Sequence, residues 1–411
     1  MAVAQFTPTT VDSTQLPEVA VRMLAGDYED TKRDEGLILT QEDIINLKLY
    51  VKAALALPEK DDDVKSYIGY TGGKVGIPGL ELADIKDLFL AIKGNGNKWY
   101  PIEQAVKQQS IDLDVFAQLI TSTGGDIFTI IEAMPVIDRV KIKVGQANLE
   151  NLANQANLAG INIPFSDDDN AIAYELKALL ELIKRDIEKE KEKTATLKTA
   201  ISNFRMEIAN VLEPAVKGKR EIIKVNNLDA NIKELSDKID KLTKEIEQLE
   251  ADYDKYVGLA FTGAALGVIG IAITGGIFGS KAESARKLKN EKLADKKSLV
   301  NELGAKNAVK KAIESLDTVL VDAHIRLIDA EQAAGNLEFV WNILLGNITA
   351  SLDNFEAIND SLSLTRFATV FKRIVEPWKT VKSFASAMIK LFNQAEEVYQ
   401  ELSKPKPPKP Q

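Results

Sequence analysis

Apolar residues recur at alternating spacings of four and three along one stretch: Leu228, Ile232, Leu235, Ile239, Leu242, Ile246, Leu249, Tyr253 and Tyr256. Isoleucine fills the a positions and leucine the d positions until the two tyrosines, the pattern of a coiled-coil helix. A longer run predicts a helix from about Ser166 to Val211. Leu180, Ile183, Ile187, Leu197, Ile201, Phe204, Ile208 and Val211 carry its period, and Glu190 and Thr194 interrupt it. Ser166 reads as the N-cap, with Asp167, Asp168 and Asp169 complementing the helix dipole in the first turn. These aspartates lack the spaced ligands and the glycine of a calcium loop; Ile172 stands at that place. A helix of this extent would reach about 70 Å, the dimension of a rod.

Shorter elements flank these two. Thr40 and Asp43 have capping-box spacing ahead of Ile44, Leu47, Val51 and Leu55, and Pro58 ends that helix. Residues 80–93 and 101–123 read as helices, the second with Pro101 near its first position. The glycine-rich stretches GYTGGKVGIPG (69–79) and GNG (94–96) read as loops. Beyond residue 281 the apolar period loosens, through Leu288, Leu293, Val300, Leu303, Ile313, Leu316 and Leu320. Residues 335–402 read as two helices broken near Leu362–Leu364 or at Pro377, followed by a solvated KPKPPKPQ tail. Strand patterns are almost absent, so the predicted fold class is all-α.

Between the strong heptad and the loose one lies an uncharged window, Val257 to Gly279, VGLAFTGAALGVIGIAITGGIFG. Its 23 residues suffice for one bilayer crossing as a helix. Seven are glycine: Gly258, Gly263, Gly267, Gly270, Gly275, Gly276 and Gly279. Glycine costs a helix in water about 1 kcal/mol per site relative to alanine. The composition suits either close helix–helix contact in lipid, through small-xxx-small spacing, or a hairpin turning near Gly267 and Gly270. A buried core helix is the plain alternative. The apolar face would comprise Val257, Leu259, Phe261, Leu266, Val268, Ile269, Ile271, Ile273, Ile277 and Phe278. Tyr253 and Tyr256 before the window, and Lys281, Arg286 and Lys287 after it, have the character of a membrane-interface belt.

Charge sharpens this picture. Residues 228–256 hold five basic and nine acidic side chains, net −4, whereas residues 281–311 hold ten basic and four acidic, net +6. If the window turns back, the two arms pair antiparallel with complementary charge; otherwise they are two solvated faces that never meet.

The 411-residue chain carries a net charge of −9, no cysteine and one histidine. The absence of cysteine excludes disulfides, thiol nucleophiles and Cys-based zinc sites. The lone His324 reads as structural and cannot build a His-rich metal site. Net acidity argues against nucleic acid as a partner. GYTGGKVG fails the phosphate-loop spacing, since Gly73-Lys74 is followed by Val75 and Ile68 stands where the first glycine belongs. No nucleophile elbow or His-Glu-x-x-His pair is present. The chain therefore reads as a non-enzyme with no cofactor and no metal. Its N-terminus has no Lys or Arg before Arg22 and no apolar core, which argues against a Sec-type signal peptide.

The segment YDKYVGLAFTGAALGVIGIAITGGIFGSKAESARK (253–287), with INLKLYVKAALALP (45–58) and the overall length, resembles the A component of the Xax/Yax-type binary α-pore-forming toxins of the cytolysin-A-like superfamily. The resemblance implies a rod. Residues 1–220 and 335–411 would form a helical tail bundle, 221–256 and 281–334 a coiled-coil neck, and 257–280 a membrane-contacting apolar hairpin. It further implies a protein released without a Sec signal peptide, soluble and then bound to the lipid bilayer of a target cell. There it would join a separate B component in a hetero-oligomeric ring, B lining the channel and A activating and stabilising it. Two hairpin arms of about ten residues reach about 15 Å each, half the hydrocarbon thickness, so the tip is expected to dip into one leaflet. Two rival readings are a membrane-anchored coiled-coil tether with a single spanning helix and a purely soluble scaffold.

Overall fold

The structure, a computed structural model, describes residues 9–11, 22, 36–69, 77–145, 152, 160–226, 232–257, 271–273, 280–303 and 307–403. It is an elongated all-α fold. Helices α1 (Gln41–Leu55), α2 (Asp61–Ile68), α3 (Leu82–Asn97), α4 (Trp99–Glu132) and α5 (Pro135–Val144) come first. Next are α6 (Asp167–Glu207), a π-helical turn (Ile208–Leu212), α7 (Glu213–Val225), α8 (Lys233–Val257), α9 (Ser280–Leu303), α10 (Ala308–Glu356), α11 (Ser361–Val375) and α12 (Pro377–Ser403). At 41 and 49 residues, α6 and α10 are about 62 and 74 Å long and pack against each other.

The caps follow the sequence signals. Thr40 and Asp43 close a reciprocal capping box on α1, and Ser166 and Asp169 do so on α6. The long helix runs past Val211, however. Pro214 has no N–H to donate, and its ring crowds the carbonyl one turn back. The chain absorbs both by widening into the π turn just before it and continuing as α7. The GNG stretch is helical rather than a loop. A Cβ on Gly96 would come 2.9 Å from the Ala54 Cβ of α1, so this glycine serves close helix packing instead of a turn. Helix α4 begins at Trp99 and runs nine residues beyond its expected end at 123. Residues 335–402 fall into three helices, because the chain breaks both at 357–360, where the Asp360 side chain caps α11, and at Glu376 before Pro377.

The core runs the length of the helices. Three tryptophans are almost fully buried. Phe116 of α4 meets Trp341 of α10 and Trp378 of α12 edge-on, each at 5.0 Å, and the two indoles stack at 5.8 Å. Trp341 donates through Nε1 to Thr194 Oγ1 (3.0 Å), and Thr194 donates to Gln109 Oε1 (2.6 Å). Thr194 thus interrupts the α6 period because the core needs a hydroxyl there. Among the described residues the strands are β1 (Thr9–Val11) and β2 (Ile271–Ile273), paired antiparallel with Thr9 opposite Ile273.

Candidate membrane-contacting end

Helices α8 and α9 frame residues 258–279. Ile232, just before α8, and Ile239 of α8 pack with Val300 and Leu303 of α9, and Lys292 pairs with Glu245 at 2.7 Å. Early α8 therefore meets late α9, and the arms run antiparallel, so the two faces meet. Part of the charge complementarity is met between the arms: Lys292 pairs with Glu245, and Lys310, at the start of α10, lies 3.9 Å from Asp240 of α8. The remaining buried cations of α9 turn to α10 and α1.

Those cations form a polar clamp behind the end of the arms. Asp43 accepts from Arg326 Nη1 at 2.8 Å and from Arg286 Nη2 at 3.3 Å. Arg326 also donates to Glu42 Oε1 (2.9 Å) and to Asp322 Oδ2 (2.9 Å). Lys289 reaches Asp322 at 3.3 Å, and Lys296 reaches Asp317 at 2.5 Å and Glu314 at 3.2 Å. Arg286 lies 3.7 Å from Asp329, whose other oxygen accepts from the Tyr253 hydroxyl. Buried charges persist only when paired in this way. Burial pushes Tyr253 well above the usual tyrosine range, and the Asp329 charge adds to it, so the phenol stays neutral. Burial would raise Asp322, but Arg326 and Lys289 overcome this and hold it below the usual carboxylate range.

The sequence-predicted residues fall into three groups. Val257, Tyr256 and Lys281 lie at the facing ends of the arms, in the last turn of α8 and the first turn of α9. Ile271 and Ile273 lie in β2, paired with β1. Leu259, Phe261, Leu266, Val268, Ile269, Ile277, Phe278, Gly267 and Gly270 lie outside the described residues. Two belt residues are inside the body: Tyr253 is 3% exposed and Arg286 5%, whereas Lys287 is exposed. Arg286 is thus no free flanking cation, because α1 and α10 supply three acids around it. The clamp residues Asp43, Asp322, Asp329, Arg326, Lys289 and Lys296 were invisible as a group. Their partners are remote in sequence, 243 residues for Arg286 and Asp43, and charge on a helix face gives no sign of burial. Among the described residues, no helix is long and apolar enough to cross a membrane.

Comparison with solved structures accounts for this architecture. YaxA from Yersinia enterocolitica is 39% identical, with 89% of this chain and 100% of that chain covered, at a TM-score of 0.50. The chain belongs to the Xax/Yax family. XaxA from Xenorhabdus nematophila is 34% identical over 89% of this chain and 99% of its own, with a TM-score of 0.47. A chain of the YaxAB pore complex is 38% identical over 89% and 100%, with a TM-score of 0.48. No family model and no curated sequence matches the chain. Membership of the Xax/Yax family places the chain among the components of α-pore-forming toxins.

Proposed function

We propose that this chain is the A component of a binary α-pore-forming cytotoxin. It contacts the target membrane through residues 257–280 and assembles with a separate B component into a hetero-oligomeric pore. The observation that carries the reading is the antiparallel packing of α8 and α9, which returns both ends of the uncharged window to one side of a bilayer. A tether with one spanning helix would leave its two flanks on opposite sides, so the packing favours the hairpin.

The energetics favour a clamped-to-open shift. In the clamped state Tyr253 is held on Asp329. A buried hydrogen bond to a charged group contributes about 1.5–3 kcal/mol. Each large apolar side chain of the window gains about 1.5–3 kcal/mol on leaving water. Only the open state lets Leu259, Phe261, Leu266, Val268, Ile269, Ile277 and Phe278 enter lipid, which opposes the loss of that bond. Lipid contact shifts the population because only the open state makes this gain. Tyr253, Tyr256 and Lys281 then reach the headgroups.

Dye-loaded liposomes test the tip. Gly267→Asp with Ile271→Asp should abolish flotation with lipid and partner-dependent leakage. Retained binding and leakage would remove the tip assignment. Haemolysis with and without a candidate B protein tests the binary action; equal lysis by either protein alone would refute it.

A further inference from the structure

Glu213, Glu250 and His324 converge from α7, α8 and α10. His324 Nδ1 lies 2.7 Å from Glu250 Oε1 and 3.3 Å from Glu213 Oε1, and the ligand atoms lie within 4.8 Å of one another. All three atoms are shut off from solvent, and none makes a hydrogen bond. Two oxygens stand close to the nitrogen, yet neither lies where an in-plane ring N–H would point. Close but off-axis approach is how co-ligands of one ion are arranged. Atoms each about 2.0–2.2 Å from a shared cation stand at most about 4.4 Å apart; the 2.7 and 3.3 Å separations to Nδ1 fall inside that reach, and the two carboxylate oxygens lie within 4.8 Å of each other.

The charge balance points the same way. Two carboxylates face one imidazole, and the neighbouring cations are engaged. Lys217 pairs with Glu247, Lys296 with Glu314 and Asp317, and Arg205 donates through Nε to Glu331. A protonated His324 would leave one negative charge over, whereas a dication with a neutral imidazole closes the balance. A half-open cleft of about 370 Å³, lined by Glu213, Glu250, Thr243 and Lys217, adjoins the group. It supplies an entry path and room for a water ligand. One group opposes the ion: Arg205 Nη1 lies 3.4 Å from His324 Nε2, the nitrogen that keeps its proton when Nδ1 binds metal.

We propose that Glu213, Glu250 and His324 form a site for a first-row divalent cation of the zinc class, which joins α7, α8 and α10. A nitrogen donor disfavours calcium and magnesium. With three protein ligands, water completes the coordination. The joint lies one helical turn before Tyr253 on α8, so the ion would tie the window end of that arm to the body. The competing occupant is a proton. Burial opposes the imidazolium, but the two facing carboxylates of Glu213 and Glu250 hold His324 up to about 9, and metal binding must release that proton.

The test is equilibrium dialysis of the untagged full-length chain against Zn²⁺ at pH 7.5, with metal counted by mass spectrometry. One zinc per chain is expected, with binding at least tenfold weaker in His324→Asn and Glu250→Gln and undiminished by equimolar Ca²⁺. Wild-type binding no stronger than that of His324→Asn would overturn the site, leaving the proton as occupant. Should the variants fail to fold by circular dichroism, Co²⁺ titration of the wild type decides. Saturable visible bands of a four- or five-coordinate nitrogen–oxygen site support the proposal, and the spectrum of free aqueous Co²⁺ refutes it.

Discussion

The Tyr253 hydroxyl donates to Asp329, a residue 76 positions away in sequence. The bond pins the end of α8 to α10 one turn before Val257, where the apolar window begins. Tyr253→Phe removes the donor while keeping the ring in the core. We expect a loss of about 1–3 kcal/mol in urea unfolding, together with increased flotation of the isolated chain with liposomes. Unchanged flotation alongside reduced stability would mean that this bond holds the body but does not restrain the tip.

Asp43 is the shared acceptor of Arg286 and Arg326. All three side chains are nearly inaccessible to solvent. Asp43→Asn keeps a capping oxygen for Thr40 but leaves two buried guanidinium groups short of charge. Breaking buried pairs of this kind costs about 3–5 kcal/mol. Chemical denaturation should show a loss in that range, and a loss under 1 kcal/mol would mean that water or Glu42 compensates.

Gly96→Ala separates close packing from a flexible loop. In an open helical site the substitution would stabilise by about 1 kcal/mol. Here the new methyl meets Ala54 at 2.9 Å, and overpacking costs about 1–3 kcal/mol. Thermal unfolding should therefore show a lower midpoint, while a raised midpoint would mean that Ala54 does not crowd this helical position.

Two capping carboxylates contribute to the acid limit of the fold. Burial alone would raise both. At Asp169, hydrogen bonds from the Ser166 hydroxyl, the Ser166 and Val136 N–H groups and the Arg139 charge reverse this. At Asp360, donors from Ser363, Asn162 and Leu362 do the same. Both native carboxyls thus titrate below the unfolded aspartate range near 3.8. Their contribution is present above that range and is lost as pH falls through the lower native values. The double variant Asp169→Asn, Asp360→Asn should be less stable at pH 7 and show a flatter loss of stability below about pH 4 than the wild type. Parallel pH profiles would contradict these assignments.

Much of this was readable in one dimension. Within the described residues, the heptad read from Leu228 to Tyr256 became α8, the Ser166 and Thr40 boxes became caps, and the all-α class followed from period and length. Local errors also had local causes. The helix expected to end near Val211 runs on through a π turn past Pro214, and Gly96 answered to a neighbour on another helix, which a loop rule cannot register.

By itself, then, the sequence determined which faces of which helices are apolar, where helices begin, and that an uncharged window separates an acidic arm from a basic one. Each of these depends on residues within a few turns of one another. Only the tertiary structure decided where the basic arm spends its charge. Arg286, Lys289 and Lys296 face acids of α1 and α10, and Glu213, Glu250 and His324 meet from three helices. The physical reason is that helical periodicity sets the direction of a side chain about its own axis. The element that covers that side chain, and so whether its charge is solvated or buried and paired, depends on how distant segments pack.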